Sequence, residues 1–152
     1  MRRSAGILVH RTGPDGPQVL LGHMGGPFWA RKDSHAWSIP KGEHGDDEEP
    51  RAAALREFAE ELGSPPPEGE LVDLGTVRGS GKVVAAFAVA GDLDADAIVS
   101  NTFELEWPPR SGRVQEFPEI DRAAWFSLAE AREKIVKTQL PFLDRLAASV
   151  SS

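Results

Sequence analysis

Three glutamates lie three and four residues apart within residues 42–63, and this spacing can support metal chemistry. On a helix, Glu57, Glu60 and Glu61 would share one face, because side chains at these intervals are neighbours. Carboxylates stacked in this way repel each other unless a cation lies between them. Hard divalent ions prefer oxygen ligands. The spacing therefore indicates a Mg²⁺ site, with Mn²⁺ as a substitute ion.

The residues around these glutamates predict the helix and the loop that precedes it. Pro50 suits a first helical turn, and Gly63, which is followed by three prolines, ends the helix. An apolar stripe lies on the side of the helix away from the carboxylates, and it consists of Ala54, Leu55, Phe58 and Leu62. Residues 40–45 predict a loop whose backbone and Lys41 can approach a phosphate.

Taken together, these positions resemble the Nudix box. Gly42 is followed after five residues by Glu48, and after seven more by the run from Arg56 to Gly63. The box is the signature of hydrolases that split a nucleoside diphosphate linked to another group. Ser64 departs from the pattern, which usually has a bulky aliphatic residue there, and this change affects a packing contact rather than the metal site. A solvated acidic face is the alternative interpretation, but the glycines, Arg56 and Glu48 in register favour a metal and phosphate site.

The resemblance implies a role for each charged residue. Mg²⁺ would be held by the three helix glutamates and the Lys41 carbonyl, and it would acidify a bound water for attack on phosphorus. Arg56 would orient the glutamates through paired hydrogen bonds. A carboxylate must take the proton, and the family often uses a glutamate before the last strand for this purpose. Glu119 matches that position best and Glu116 is second, although both also fit as surface residues.

The candidate substrate contacts are basic and aromatic. Lys41 would contact phosphates, and Lys82 or Arg78 would add a further point charge. Aromatic rings can stack on a base. The aromatic candidates are Phe28, Trp29, Trp107 and Phe117. Trp37 is a candidate substrate contact for the same reason, but large rings are more often buried, so the core is the favoured location for it.

Residues 37–42 resemble the lead-in of Nudix enzymes that hydrolyse diadenosine polyphosphates and of relatives that remove pyrophosphate from RNA ends. The favoured activity is therefore cleavage of diadenosine tetraphosphate to ATP and AMP. One alternative is a nucleoside triphosphate pyrophosphatase of the house-cleaning type. Another is a hydrolase of ADP-ribose or nucleotide sugars. A further alternative is a nucleotide-binding module without catalysis, although a complete set of three helix glutamates argues against it.

Composition limits the remaining classes of function. The 152 residues suit a single domain over 1–152. The 24 acidic residues against 17 basic ones give a net charge of -7, which argues against long nucleic acid as a partner and favours a small nucleotide substrate. The chain has no cysteine, so disulfides and Cys-ligated zinc are excluded and a cytoplasmic location is expected. No membrane span is predicted. The oligomeric state stays open, with a homodimer among the alternatives.

The pattern of the remaining chain predicts an α/β fold. Residues 4–11 and 18–23 form one predicted hairpin, and residues 71–78 and 82–90 form another. Further strands are predicted at 98–107 and 120–126. Ser127 and Glu130 form a capping box that should begin a helix reaching about residue 136, and residues 140–150 predict a last helix. These elements describe a mixed sheet covered on both sides, an α/β/α sandwich, and their order resembles the Nudix fold.

Overall fold

The computed structural model describes residues 2–151. Nine strands, three α-helices and two short 3₁₀ helices follow one another along this part of the chain. The strands are β1 Arg2–Gly13, β2 Gly16–Met24, β3 Trp37–Ser38, β4 Lys41–His44, β5 Val72–Gly79, β6 Lys82–Ala90, β7 Thr102–Glu106, β8 Val114–Pro118 and β9 Ile120–Ser127. The helices are α1 Pro50–Leu62, α2 Leu128–Lys134 and α3 Leu140–Ser151.

Strand β1 is the centre of the main sheet. It runs parallel to β6 along residues 2–10. On its other side, residues 3–6 pair with β4 and residues 10–13 pair with β2, both antiparallel. Within residues 2–151 the path is β3-β2-β1-β6-β5, with β9 paired to β2, while β7 and β8 form a separate two-stranded sheet. Ile7, Leu8 and Val9 are fully buried, as expected for a strand covered on both faces.

Each face of the sheet has its own apolar core. On one face, Leu8 and Leu21 pack with Phe142 and Leu146 of α3. On the other face, α1 packs against the sheet through a buried cluster that includes Ile7, Leu20, Phe58, Leu62 and Phe87. This arrangement confirms the predicted α/β/α sandwich.

The two predicted hairpins, β1–β2 and β5–β6, are confirmed. Helix α1 ends at Leu62 because Gly63 adopts a left-handed conformation with φ of 77°. The capping box at Ser127 is present with both of its hydrogen bonds. No helix within residues 2–151 is both long enough and apolar enough to cross a membrane.

Three local predictions were wrong, and one strand lies where none was predicted. The expected loop at 40–45 contains strand β4, because its backbone pairs with β1. Leu55 is 39% exposed, and Ala53 takes its place on the buried face of α1. Strand β7 begins only at Thr102, because the backbone N–H groups of Val99 and Asn101 bond to carbonyls at the end of α1. Residues 114–118 form a strand that the pattern did not reveal.

Candidate active site

A polar cavity of about 330 Å³ lies where α1 meets the edge of β4 and the start of β1. Its charged lining includes Glu57 and Glu61 from α1, Lys41 from β4, Lys82 from β6, and Glu119 between β8 and β9. The remaining lining residues are Arg2, Ser4, Gly42, Glu43 and Asn101. A larger groove of about 610 Å³ runs along residues 65–71, but it contains none of the three helix glutamates.

Strand pairing explains how the lysine and the helix glutamates meet. Lys41 and Gly42 pair with Gly6 and Ala5, so β1 fixes β4 beside the helix. The side chain of Glu57 occupies the space above Gly42, and a Cβ atom at that position would overlap the Glu57 carboxylate. Gly42 is therefore required for close approach of the helix rather than for a loop.

Burial dominates the electrostatics of the cavity. It raises the pKa of Glu61 to about 8, against the opposing effect of the Lys41 ammonium and with a further increase from Glu119. Burial also raises the pKa of Glu57 and of Glu119. The same cause lowers the pKa of Lys41, although Glu61 partly offsets it. The cavity thus disfavours charge on its own side chains until a ligand of suitable charge enters.

Arg56 binds the carboxylates on the outer side of α1. Its Nε and Nη2 atoms donate to the two oxygens of Glu48 at 2.9 and 2.7 Å, which is a bidentate pair. Its Nη1 atom donates to Glu57 at 2.9 Å and to Glu60 at 3.3 Å. Arg56 therefore holds Glu57 from outside the cavity while Glu57 lines the cavity from within.

Glu60 does not join the other two helix glutamates. Its side chain is 47% exposed, it pairs with Arg56, and it does not line the cavity. Within residues 2–151 no three His, Asp or Glu side chains are gathered closely enough to hold a metal ion. The expectation that all three helix carboxylates reach one point is corrected here, because Arg56, one turn earlier, draws Glu60 outward.

The donor set nevertheless suits a hard divalent ion. Glu57, Glu61 and Glu119 bring carboxylate oxygens to one cavity, and oxygen ligands are those that Mg²⁺ and Mn²⁺ take. Burial raises the pKa of all three carboxylates, and the neighbouring cations Arg56 and Lys41 offset this only in part. Lys41 and Lys82 supply part of the compensating positive charge, and a cation would supply the rest.

The structure corrects one of the candidate substrate contacts. Trp37 is only 3% exposed, its indole N–H donates to Asp33 at 3.0 Å, and its ring packs on Phe126 with 4.9 Å between ring centroids. Its side chain belongs to the core and does not line the cavity, because it packs in the apolar cluster between the sheet and helices α2 and α3.

The other aromatic candidates lie outside the polar cavity. Phe28 is 59% exposed and meets Trp107 edge to face with 5.3 Å between ring centroids. Phe117 is half-buried beside Phe103. Trp29 lines a neighbouring cavity of about 220 Å³ that shares Lys41 and Lys82 with the polar one. Arg78 does not line the polar cavity, whereas Lys82 does.

Sequence reasoning missed four lining residues, namely Arg2, Ser4, Glu43 and Asn101. Arg2 and Ser4 reach the cavity only because β1 pairs with β4 and β6, so no local pattern marks them. Asn101 arrives through backbone hydrogen bonds to distant residues.

The fold is a mixed sheet between helices, and the candidate site is a lysine-containing cavity beside the helix that carries the glutamates. The model of the NUDIX domain matches residues 1–146, and the chain belongs to this family. Nudix hydrolases generally use divalent metal ions, in keeping with the donor set of the cavity.

Curated relatives match only a short segment. The RNA pyrophosphohydrolase of Hahella chejuensis is 40% identical over 55 residues, which are 36% of this chain and 34% of that protein. The RNA pyrophosphohydrolase of Pseudoalteromonas translucida is 38% identical over 55 residues, which are 36% of this chain and 32% of that protein. The match thus spans about a third of the length of each relative.

Solved structures match nearly the whole chain at low identity. An Ap4A hydrolase binary complex from C. elegans has a TM-score of 0.63 and 19% identity, covering 99% of this chain and 98% of that one. The NUDIX domain of Shewanella oneidensis NrtR, complexed with ADP ribose, has a TM-score of 0.63 and 16% identity, covering 97% and 87%. These likenesses show the fold.

Proposed function

We propose that this chain is a Mg²⁺-dependent hydrolase that cleaves a pyrophosphate bond in a nucleoside polyphosphate, with Mn²⁺ as a substitute ion. The favoured substrate is diadenosine tetraphosphate, which would give ATP and AMP. The observation that carries the proposal is the joint lining of one cavity by Glu57, Glu61 and Glu119 together with Lys41 and Lys82. Carboxylates suit a divalent ion and lysines suit phosphate oxygens, so the cavity fits a metal-bound polyphosphate.

Glu57 and Glu61 are the side chains that would hold the ion, while Glu60 stays with Arg56. A divalent ion bound there would neutralise the pyrophosphate charge and lower the pKa of a bound water. Lys41 and Lys82 contact the phosphates as point charges. Arg56 fixes the Glu57 carboxylate through the bond of 2.9 Å from outside the cavity, so that this ligand does not have to be ordered when substrate arrives.

Glu119 is the proposed general base. It is half-buried in the cavity lining, and burial raises its pKa, which brings the carboxylate closer to the pH at which a base is effective. Its backbone is held on both sides: its N–H donates to the Asn101 carbonyl at 2.9 Å, and its own carbonyl accepts from the Gly25 N–H at 2.9 Å. The backbone of Glu119 is therefore fixed beside the cavity before substrate binds, and its carboxylate would take the proton of an attacking water.

The choice of substrate rests on the relatives and on charge. The neighbour named Ap4A hydrolase aligns over 99% of this chain, which supports a dinucleoside polyphosphate. The curated relatives favour a second candidate, removal of pyrophosphate from RNA ends, because they are named RNA pyrophosphohydrolases. A net charge of -7 favours the small substrate over long RNA.

The test is metal-dependent turnover with products separated by chromatography. Diadenosine tetraphosphate, nucleoside triphosphates, ADP-ribose and a short RNA with a 5′-triphosphate are compared with Mg²⁺, with Mn²⁺ and with EDTA. ATP plus AMP from the dinucleotide, lost in EDTA and in Glu61→Gln, is the expected result. Faster release of pyrophosphate from RNA or from nucleoside triphosphates would replace the favoured substrate. Nucleotide binding without hydrolysis of any substrate would contradict the enzyme and leave the binding module.

A further inference from the structure

Asn101 lies just before β7, and its main chain is fixed at both polar groups. Its N–H donates to the carbonyl of Glu60 in the last turn of α1 at 3.2 Å. Its carbonyl accepts from the N–H of Glu119 at 2.9 Å and from the hydroxyl of Ser100 at 2.7 Å. These bonds tie one residue both to the glutamate-bearing helix and to Glu119, so the position of Asn101 at the cavity is set before any ligand binds.

The side chain of Asn101, in contrast, makes no hydrogen bond to another described residue. It lines the cavity, and none of the side-chain hydrogen bonds within residues 2–151 involves its carboxamide. An asparagine in a connecting segment commonly bonds to nearby backbone, as Asp94 does here when it accepts from the N–H of Asp96 at 3.0 Å. Asn101 makes no such local bond and is exposed to solvent at the cavity, so its carboxamide is available to a ligand.

The other lining side chains show what a neutral donor adds. Glu57, Glu61 and Glu119 repel phosphate unless a cation intervenes, and Lys41 and Lys82 attract it as point charges on flexible stems. A carboxamide donates two N–H groups in a fixed plane without changing the net charge of the cavity. It can therefore orient a phosphate oxygen where the lysines only attract it.

We propose that Asn101 is a substrate-binding residue whose carboxamide donates a hydrogen bond to a phosphate oxygen of the polyphosphate. This inference rests on the proposed function, because it assigns the same cavity to a polyphosphate. The proposed contact lies outside residues 42–64 and comes from a neutral side chain. Because the main chain of Asn101 also bonds to Glu119, one residue would both bind substrate and hold Glu119 in place.

A direct test uses the fact that Asn101 is the only asparagine of the chain. Labelling with ¹⁵N in the asparagine side chain gives a single carboxamide signal pair. Titration with methylenediphosphonate, a pyrophosphate analogue that is not hydrolysed, is carried out with Mg²⁺ present. The signal pair should shift and saturate together with the ³¹P signal of the analogue. If the ³¹P signal reports binding while the carboxamide signals stay in place, the assignment is wrong. Absence of binding by both signals would overturn the assignment and the proposed function together.

Substitutions distinguish the proposed side-chain contact of Asn101 with phosphate from its main-chain hydrogen bonds. Asn101→Ala keeps the main-chain bonds, so its thermal midpoint should match that of the wild type while kcat/KM falls about 10- to 100-fold, mainly through KM. Asn101→Asp should lose more activity, because it adds a negative charge to a cavity that four carboxylates already line. Thr102→Ala is the neighbouring control: the Thr102 hydroxyl donates to Glu116, outside the cavity, and kcat/KM should stay within about twofold of the wild type. Wild-type KM in Asn101→Ala, with hydrolysis intact, would overturn this inference and leave the proposed function standing.

Discussion

Two neighbouring glutamates of α1 lie in different environments. Glu61 faces the cavity beside Lys41 and Glu119, and burial raises its pKa to about 8. Glu60, one residue earlier, is half-exposed and pairs with Arg56 on the outer side of the helix. The same residue type therefore lines the cavity at one position and forms a surface ion pair at the next, because a rotation of about 100° separates them.

Glu57 connects the two sides of the helix. It is 8% exposed and lines the cavity, yet its Oε1 atom accepts from Arg56 at 2.9 Å. The outer network of Arg56 with Glu48 and Glu60 thus supports one carboxylate of the inner group. The helix region therefore contains an inner set of carboxylates that line the cavity, Glu57 and Glu61, and an outer set, Glu48 and Glu60, that pairs with Arg56.

Exchange of Glu61 for glutamine should have the largest effect. Glu61→Gln removes a proposed metal ligand, so metal-dependent kcat/KM should fall about 10³-fold or more. Glu60→Gln is the matched control on the outer side, and its loss should stay within about tenfold, the range of a supporting contact. Both variants are measured at saturating Mg²⁺. Equal losses would show that Glu60 leaves Arg56 and enters the cavity during turnover.

We expect the second-largest loss of activity from exchange of Glu119, and this exchange tests whether Glu119 acts as a base or as a metal ligand. Glu119→Gln should lower kcat by about 10²- to 10³-fold, since a positioned base contributes that much. The Mg²⁺ concentration that gives half-maximal rate should stay near its wild-type value. The measurement is kcat across a Mg²⁺ titration at several pH values, in which the acidic limb of the profile should flatten. A large increase in the required Mg²⁺ would instead identify Glu119 as a metal ligand.

A methyl group at position 42 should disturb the inner set through packing. Gly42→Ala would overlap the Glu57 carboxylate, so activity should fall by up to about 10²-fold and stability by about 1–3 kcal/mol. Gly69→Ala is the control, because its Cβ would lie 3.2 Å from a side-chain atom of Val89, outside the cavity. Urea unfolding and turnover of both variants check the prediction. An active and stable Gly42→Ala protein would contradict the close approach of Glu57.

The smallest expected effect is on stability against pH in EDTA. The folded-state pKa of Glu61, about 8, lies above its ordinary value of 4.5, so the folded protein binds the extra proton between these values. The contribution of this proton to the free energy of unfolding is fully present below about pH 4.5 and is lost as pH rises through 8. We expect a loss of about 2 kcal/mol or more, which is roughly 5 °C in thermal midpoint between pH 5 and pH 8.5. Glu61→Gln should show a flatter profile than the wild type. Parallel profiles would show that Glu61 does not carry the effect.

Local patterns predicted the elements that local physics controls. Helix α1 follows from Pro50, the alanines and the left-handed Gly63, and the helix after Ser127 follows from its capping box. The β1–β2 and β5–β6 hairpins follow from apolar strands around short turns. Strand β4 was missed because its four residues owe their conformation to pairing with β1 rather than to their own propensity.

The family, the layered α/β architecture and the helix that carries the glutamates follow from the order of the residues alone, since spacing along a helix fixes which side chains can be neighbours. Which carboxylates enter the cavity depends on long-range contacts of the folded chain. Lys41 arrives through the pairing of β4 with β1, and Glu119 arrives through its bond to Asn101. Arg56 holds Glu60 outside the cavity. These contacts join residues that are far apart in the chain. They depend on backbone pairing and on burial, which a local sequence pattern does not reveal.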